Sequence, residues 1–343
     1  MTRVRYILGV VSFVLLGALF ATPPAAHAVT GNFSLQITPS PLVTTLKPGT
    51  TTELELKIRN ASTETEQLKI ESRRFRFDND SGTVKLDETK PAEIADWIHY
   101  SAPTFDVKPG EWYTQKIRIS LPAQSGFSYS FAYVISRTNL PTTPTAGQVL
   151  NGSIAVFSLI NVDRPGATRR LNISSFTPSQ TVFEYLPATF KLRLKNTGNT
   201  IVKPTGNVFV QRSGKDLATL PVNESQSYIL PGTERTINAS WADGFPVYKT
   251  KTESGVTTKT NLEWNFDKLA HFRIGHYTAK VVAIYNDGTR DIPITRELSF
   301  WVIPWKAILL ILAIIAALVY FVRRSNKIRT QKAVQKALKN QKK

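Results

Sequence analysis

Cysteine is missing from all 343 residues, and its absence excludes disulfides, thiol nucleophiles, cysteine-bound zinc and a lipidated cysteine anchor. Histidine is nearly missing: of four, only His99, His271 and His276 follow residue 28. Acidic residues are few, 25 Asp and Glu against 43 Lys and Arg, giving a formal charge of +18. Neither a Gly-x-Ser-x-Gly elbow nor a phosphate-cradling glycine loop occurs. An exported chain without cystines holds its domains by burial alone, which about 130 residues per domain can support. That economy points to a bacterial or archaeal surface.

What is present begins with one apolar run. Ile303 to Val322 carries a single charge, Lys306, and Arg323 and Arg324 follow at once. Roughly 20 residues rising about 1.5 Å each cross a hydrocarbon core of about 30 Å. Lys306 sits near one end, where its stem can lie in the apolar layer, and Trp301, Trp305 and Tyr320 stand where interfacial aromatics belong. The segment reads as one transmembrane helix with a stop-transfer signal.

At the other end Arg3 and Arg5 precede an apolar stretch from Tyr6 to Phe20 and then Ala26-His27-Ala28. This is the pattern of a secretory signal peptide cut after Ala28, or retained as an uncleaved anchor. Because Lys and Arg are held on the cytoplasmic side, residues from about Val29 to Trp301 are expected outside the cell and the tail inside.

The charge is distributed accordingly. Residues 323–343 hold nine Lys or Arg and no acid; removing these with Arg3, Arg5 and Lys306 leaves about +6 on the ectodomain. A basic balance concentrated beside a membrane is no footprint for nucleic acid. Through Arg323, Arg324, Lys327 and Arg329 the tail can meet anionic lipid, as a short basic helix or as a solvated retention segment.

Between these segments the pattern is β throughout. Thr52 to Arg59 alternates, with Leu54, Leu56 and Ile58 on one face against Glu53, Glu55, Lys57 and Arg59; Phe190 to Lys195 does the same with Phe190, Leu192 and Leu194. The two strands belong to an internal repeat offset by about 137 residues. Thr38-Pro39-Ser40 and a strand ending at Asn60 recur as Thr177-Pro178-Ser179 and a strand ending at Asn196. Lys108-Pro109-Gly110-Glu111 matches Leu230-Pro231-Gly232-Thr233, and Gly126-Phe127-Ser128-Tyr129 matches Gly275-His276-Tyr277.

The expected fold is therefore all-β: two tandem immunoglobulin-like sandwiches plus one C-terminal transmembrane helix. Boundaries are set at 1–28 for the signal segment, 29–163 and 170–301 for the sandwiches, 164–169 for a Pro/Gly linker, 303–322 for the membrane helix and 323–343 for the basic tail. A loop is expected from Thr138 to Gly147 and a short helix from Ala92 to His99.

Chemistry is thinly marked, and no catalytic, metal-binding or cofactor-binding residue is assigned. His271 and His276 fall on opposite faces if strand alternation holds through them, poor geometry for shared ligation, so they read as surface or turn residues. Asp78-Asn79-Asp80-Ser81-Gly82 resembles the start of a calcium loop, but position twelve is Thr89 and the flanks are strands, so it reads as a hairpin turn. Trp97, Trp112, Trp241 and Trp264 show no stripe and read as core or edge packing rather than a sugar platform. Asn-x-Ser sites stand at Asn32, Asn60, Asn79, Asn151, Asn172, Asn223 and Asn238.

The first copy carries Lys47-Pro48-Gly49, a strand from Leu54 to Arg59 ending in Asn60-Ala61-Ser62, and Lys108-Pro109-Gly110-Glu111 before Thr114 to Leu121-Pro122. In these it resembles the N-terminal domain of WxL-interacting proteins of Gram-positive bacteria, a family built as signal peptide, two immunoglobulin-like domains, one transmembrane helix and a basic tail. The second copy, with Asn196-Thr197-Gly198-Asn199, Pro204-Thr205-Gly206, Trp241, Gly275-His276-Tyr277-Thr278-Ala279 and the exit Phe300 to Trp305, is similar to a module of predicted bacterial surface proteins.

The resemblance implies a non-catalytic, membrane-anchored envelope protein that binds a surface protein or the peptidoglycan wall, with no cofactor. The alternative is an accessory subunit of a membrane transport or secretion complex. An enzyme with a site assembled from scattered Asp, Glu and Ser ranks below both.

Overall fold

The computed structural model describes residues 33–78, 83–87, 89, 91–138, 152–253 and 256–341, without the side chains of 251–260 and 333–341. The expected signal segment, most of the loop expected from Thr138, and Asn32, Asn79 and Asn151 lie outside the described residues.

The first unit is a sandwich of two sheets. One has the order β1 (Leu35–Thr38), β3 (Thr51–Asn60), β9 (Trp112–Ser120), β7 (Ile98–Tyr100). Its partner runs β2 (Leu42–Leu46), β11 (Ser153–Val162), β10 (Ser128–Arg137), β4 (Glu66–Arg73), β8 (Thr104–Val107). Alternation in β3 turns Leu56 and Ile58 inward beside Ile117 and Ile119, against Leu68, Ile70, Phe131, Tyr133 and Ile135 of the other sheet. A short hairpin, β5 (Phe75–Phe77) with β6 (Val84–Leu86), is closed by Asp78 N donating to Thr83 O at 2.9 Å. It packs on the outer face of the larger sheet, where the rings of Phe75 and Phe157 meet edge to face at 4.9 Å.

The second unit repeats the plan with one strand fewer. Its sheets are β12 (Leu171–Pro178), β14 (Ala188–Asn196), β17 (Glu234–Trp241), and β13 (Val182–Phe183), β21 (Asp291–Val302), β20 (Gly275–Asn286), β15 (Thr205–Arg212), β16 (Lys215–Val222). In both units one short strand, β2 or β13, lies parallel to the last strand of the sandwich while the other pairings are antiparallel. Trp241, fully buried, anchors this core against Tyr277 and Phe300, with centroids 5.2 and 6.2 Å away. An additional hairpin, β18 (Val247–Glu253) with β19 (Val256–Glu263), leaves the sandwich after Trp241.

The repeat seen in the sequence is also a repeat of hydrogen bonds. Asn60 and Asn196 are both fully buried. The Asn60 side-chain amide donates to Glu64 O and Val107 O at 2.6 and 2.8 Å; that of Asn196 donates to Thr200 O and Ile229 O at 2.7 and 2.9 Å. Each Oδ1 accepts the N–H two residues on, from Ser62 or Gly198. The Pro-Gly turns dock on the same two residues, Gly110 N donating to Asn60 O and Gly232 N to Asn196 O. Both glycines have positive φ, 77° and 70°, as a turn with proline at its first corner requires at the second.

Three local expectations are corrected. The helix expected from Ala92 to His99 is only α1 (Ala92–Ala95); Ile98 and Tyr100 instead join β7 opposite Ile119 and Ile117, because the core rewards a buried β-branched side chain there. Phe266–His271 forms a 3-10 helix, not a strand, started by Asn265 Oδ1 accepting from Asp267 N at 3.2 Å. The C-terminal helix α2 (Trp305–Gln341) begins two residues later than expected: Ile303 N still donates to Phe183 O at 2.7 Å and so belongs to the sandwich edge. It also runs on through the basic tail. Trp305–Lys332 is long and apolar enough to cross a membrane, and none of its most apolar stretch is covered by protein.

Candidate binding cleft

The larger sheet of the first sandwich is not closed along its whole length. β10 pairs with β11 from Ser128 onward, but β4 reaches it only at Ala132, opposite Arg73. Past that point the chain turns at Arg74 into β5 and abandons the ladder. Direction then follows from alternation. Thr138 N donates to Gln67 O on the β4 side, whereas Arg137 N points to Gly152 O on the β11 side. In an antiparallel strand the N–H and C=O of one residue face the same neighbour, so Ser128 and Ser130 aim theirs toward the vacated place. Among the described residues no strand pairs with β10 on that side of Ser128 and Ser130.

That place is a cleft of about 350 Å³ lined by Arg74, Phe75, Arg76, Asp87, Glu93 and Ser128 to Phe131, with Pro91 and Ile94 as a second wall. It lies at the lower end of the size range of ligand pockets. Its charges are matched: Arg74 pairs with Glu93, and Arg76 Nε lies 3.3 Å from Asp87 Oδ2. Both pairs are exposed, so each contributes a fraction of a kcal/mol and leaves the walls adaptable. The floor is firmer. Tyr129 stacks edge to face on Trp97 at 4.9 Å, and its hydroxyl accepts from Gly126 N at 2.6 Å.

The second sandwich borders the cleft. Ser128 Oγ donates to Asn199 O at 3.1 Å, and the Arg235 guanidinium lies 5.7 Å from the centroid of Phe77. Burial lowers the Arg235 pKa, though an arginine so placed remains charged. Asn161 adds a two-way bond across the junction, accepting from Ile201 N at 2.9 Å and donating to Ile201 O at 3.3 Å.

The residues weighed from sequence do not gather here. His99 is exposed on β7, His276 lies against the Trp301 ring at 4.9 Å, and His271 Nδ1 contacts Asp243 Oδ1 at 2.6 Å. Arg273 Nη2 reaches Asp243 Oδ2 at 2.9 Å; burial works against the Asp243 carboxylate, but the bonds from His271 and Arg273 hold its pKa below the usual range. Among the described residues no three His, Asp or Glu stand together to hold a metal ion. Of the tryptophans, Trp97 and Trp241 are core, while Trp112 and Trp264 are about half exposed. Asn60 and Asn223 are buried with their amides bonded, which closes those two sequons to modification; Asn172 and Asn238 are exposed. Arg323, Arg324, Lys327 and Arg329 are exposed on α2. The open half of β10 has no signature in sequence: Ser-Tyr-Ser-Phe alternates like any strand.

No family model and no curated protein matches the chain. Solved structures similar to it include a Salmonella enterica SafA pilin in complex with the SafB chaperone, at 14% identity over 78% of this chain and 98% of that one, TM-score 0.36. The Pseudomonas aeruginosa CupB2 chaperone is 11% identical over 77% and 100%, TM-score 0.34. A PapD-like domain of human CEP192 is 14% identical over 37% and 84%, TM-score 0.25. Identity and TM-score are low in each case, so function rests on this chain's own geometry.

Proposed function

We propose that this protein is a non-catalytic, single-pass envelope protein of the WxL-interacting type, whose two immunoglobulin-like sandwiches hold a surface protein near the membrane. The strand orders support that fold, since apart from β7 the strands of the two units follow one order across two facing sheets. α2 anchors the chain with the sandwiches outside and the basic tail inside, where Arg323, Arg324, Lys327 and Arg329 meet anionic headgroups. The observation that carries the binding role is the unpartnered edge of Ser128 and Ser130 in a cleft with matched, exposed charges. An extended segment of a partner fits there as an added strand, taking affinity from backbone bonds.

Ser130→Pro tests this. It removes a donor that faces the cleft and is not used in the β11 ladder, a position where proline is tolerated. Full-length protein in detergent is incubated with envelope-protein extract and, separately, with peptidoglycan sacculi. A partner retained by the wild type and lost with Ser130→Pro, at unchanged melting temperature, supports strand addition. Equal retention by both proteins overturns it, and retention on sacculi alone transfers the role to the wall polymer.

A further inference from the structure

The membrane end of the second sandwich carries apolar side chains that the core does not use. Between β19 and β20, Trp264 is 54% exposed, Phe266 70%, Leu269 60%, Phe272 46% and Ile274 38%. Trp301 and Trp305, 46% and 50% exposed, stand on the strand and helix beside them. Gly275 pairs with Val302, so the segment ending at Ile274 and the strand leading into α2 finish at the same end of the sandwich.

This loop is fixed in place. Phe245 bridges to Phe272 and holds the Trp264 and Phe266 rings at 5.8 and 5.5 Å. Arg273 Nε donates to Asp243 O at 3.0 Å, and its guanidinium lies 5.6 Å from the centroid of Trp241 in the core. Lys306, in the first turn of α2, donates to Glu184 Oε2 at 2.8 Å, tying the helix to the same base.

Distance selects the occupant. Only Ile303 and Pro304 separate β21 from α2, and three residue steps of extended chain span at most about 11 Å. Each interfacial layer is roughly 5–8 Å deep, so a base tethered this closely to a membrane span lies in or beside the interfacial zone. That zone is where tryptophan and other amphipathic rings concentrate. The charges nearby cancel, Arg273 against Asp243 and Lys306 against Glu184.

We propose that Trp264, Phe266, Leu269, Phe272 and Ile274, with Trp301 and Trp305, form an aromatic collar that seats the second sandwich in the outer lipid interface independently of lipid charge. The inference rests on reading α2 as a membrane span.

The absence of cysteine makes the test clean. Phe266→Cys, Leu269→Cys, Trp112→Cys and Ile314→Cys are each made in the full chain, spin-labelled and reconstituted in phosphatidylcholine vesicles, with and without phosphatidylglycerol. Accessibility to oxygen and to a water-soluble nickel chelate is then compared. The collar requires the oxygen-to-nickel ratio at 266 and 269 to be several-fold above that at Trp112, exposed on β9 of the first sandwich, and unchanged by phosphatidylglycerol. Labels at 266 and 269 as nickel-accessible as 112, with 314 still lipid-immersed, overturn the collar and leave the anchor standing. Labels shielded from both reagents place a protein on the patch and also overturn it. A nickel-accessible 314 removes the anchor reading and the collar with it.

Discussion

The same end of the two sandwiches has been finished in two ways. In the first, β4 leaves β10 at Ala132 and runs into a hairpin that crosses the sheet, so Ser128 and Ser130 keep an open edge. In the second, β15 stays beside β20 as far as Thr278 and reverses into β16 through Ser213 and Gly214, both at positive φ. Arg212 fills what remains: its guanidinium lies 5.6 Å from the Tyr277 centroid, and a Cβ on Gly275 would stand 3.2 Å from its Nη2. One frame thus gives a cleft where it meets its sibling and a closed, aromatic base where it meets α2. The difference lies in how one strand leaves the ladder, not in the core.

The largest test of the shared frame is a pair of core truncations. Leu56 and Leu192 occupy equivalent strands and are almost wholly buried. Leu56→Ala and Leu192→Ala are each expected to cost about 3 kcal/mol. Hydrogen exchange read copy by copy should show faster exchange only in the mutated sandwich; acceleration in both would mean that they open as one unit.

Next come the buried asparagines. Asn60→Ala and Asn196→Ala each strand two carbonyls and an amide, a loss of about 2 kcal/mol measurable by denaturant unfolding of the full chain in micelles. Near-equal losses sharpen the equivalence, and a loss confined to one copy breaks it. Arg212→Ala should have a smaller effect on stability, below about 1 kcal/mol as an exposed contact, yet speed exchange at Gly275 to Tyr277 and leave Ser128 to Phe131 unchanged.

The smallest effect belongs to the turn after β20. Asp287 Oδ1 accepts from Arg290 N, Thr289 N and Thr289 Oγ1, and those bonds lower its carboxyl from 3.8 to about 2. Its folded-state value being depressed, its contribution is full above about pH 3.8 and is lost as pH falls through about 2. The amide shifts of Thr289 and Arg290 should titrate over that window and flatten in Asp287→Asn.

Much of this architecture was legible because its signals are local. Alternation at Leu54 to Ile58 and Phe190 to Leu194, the two Pro-Gly turns and the asparagines ending each strand announced a repeated sandwich, since each depends on neighbours in the chain. The helix expected through His99 and the strand expected through His271 were misread where tertiary pairing or a capping side chain outweighed the local pattern. The candidate cleft was illegible. Nothing in residues 128–131 records that a strand some sixty residues earlier stops short of them.

By itself, then, the sequence determined the β class, the two copies, the asparagines that end the matching strands and the apolar run of α2, because periodicity and hydrophobic length are written in consecutive residues. Only the tertiary structure decided which edge stays open and that Trp264 to Ile274 share one end with Trp301 and Trp305. Exposure and adjacency are set by the register of strands far apart in the chain, and register is a property of the folded sheet.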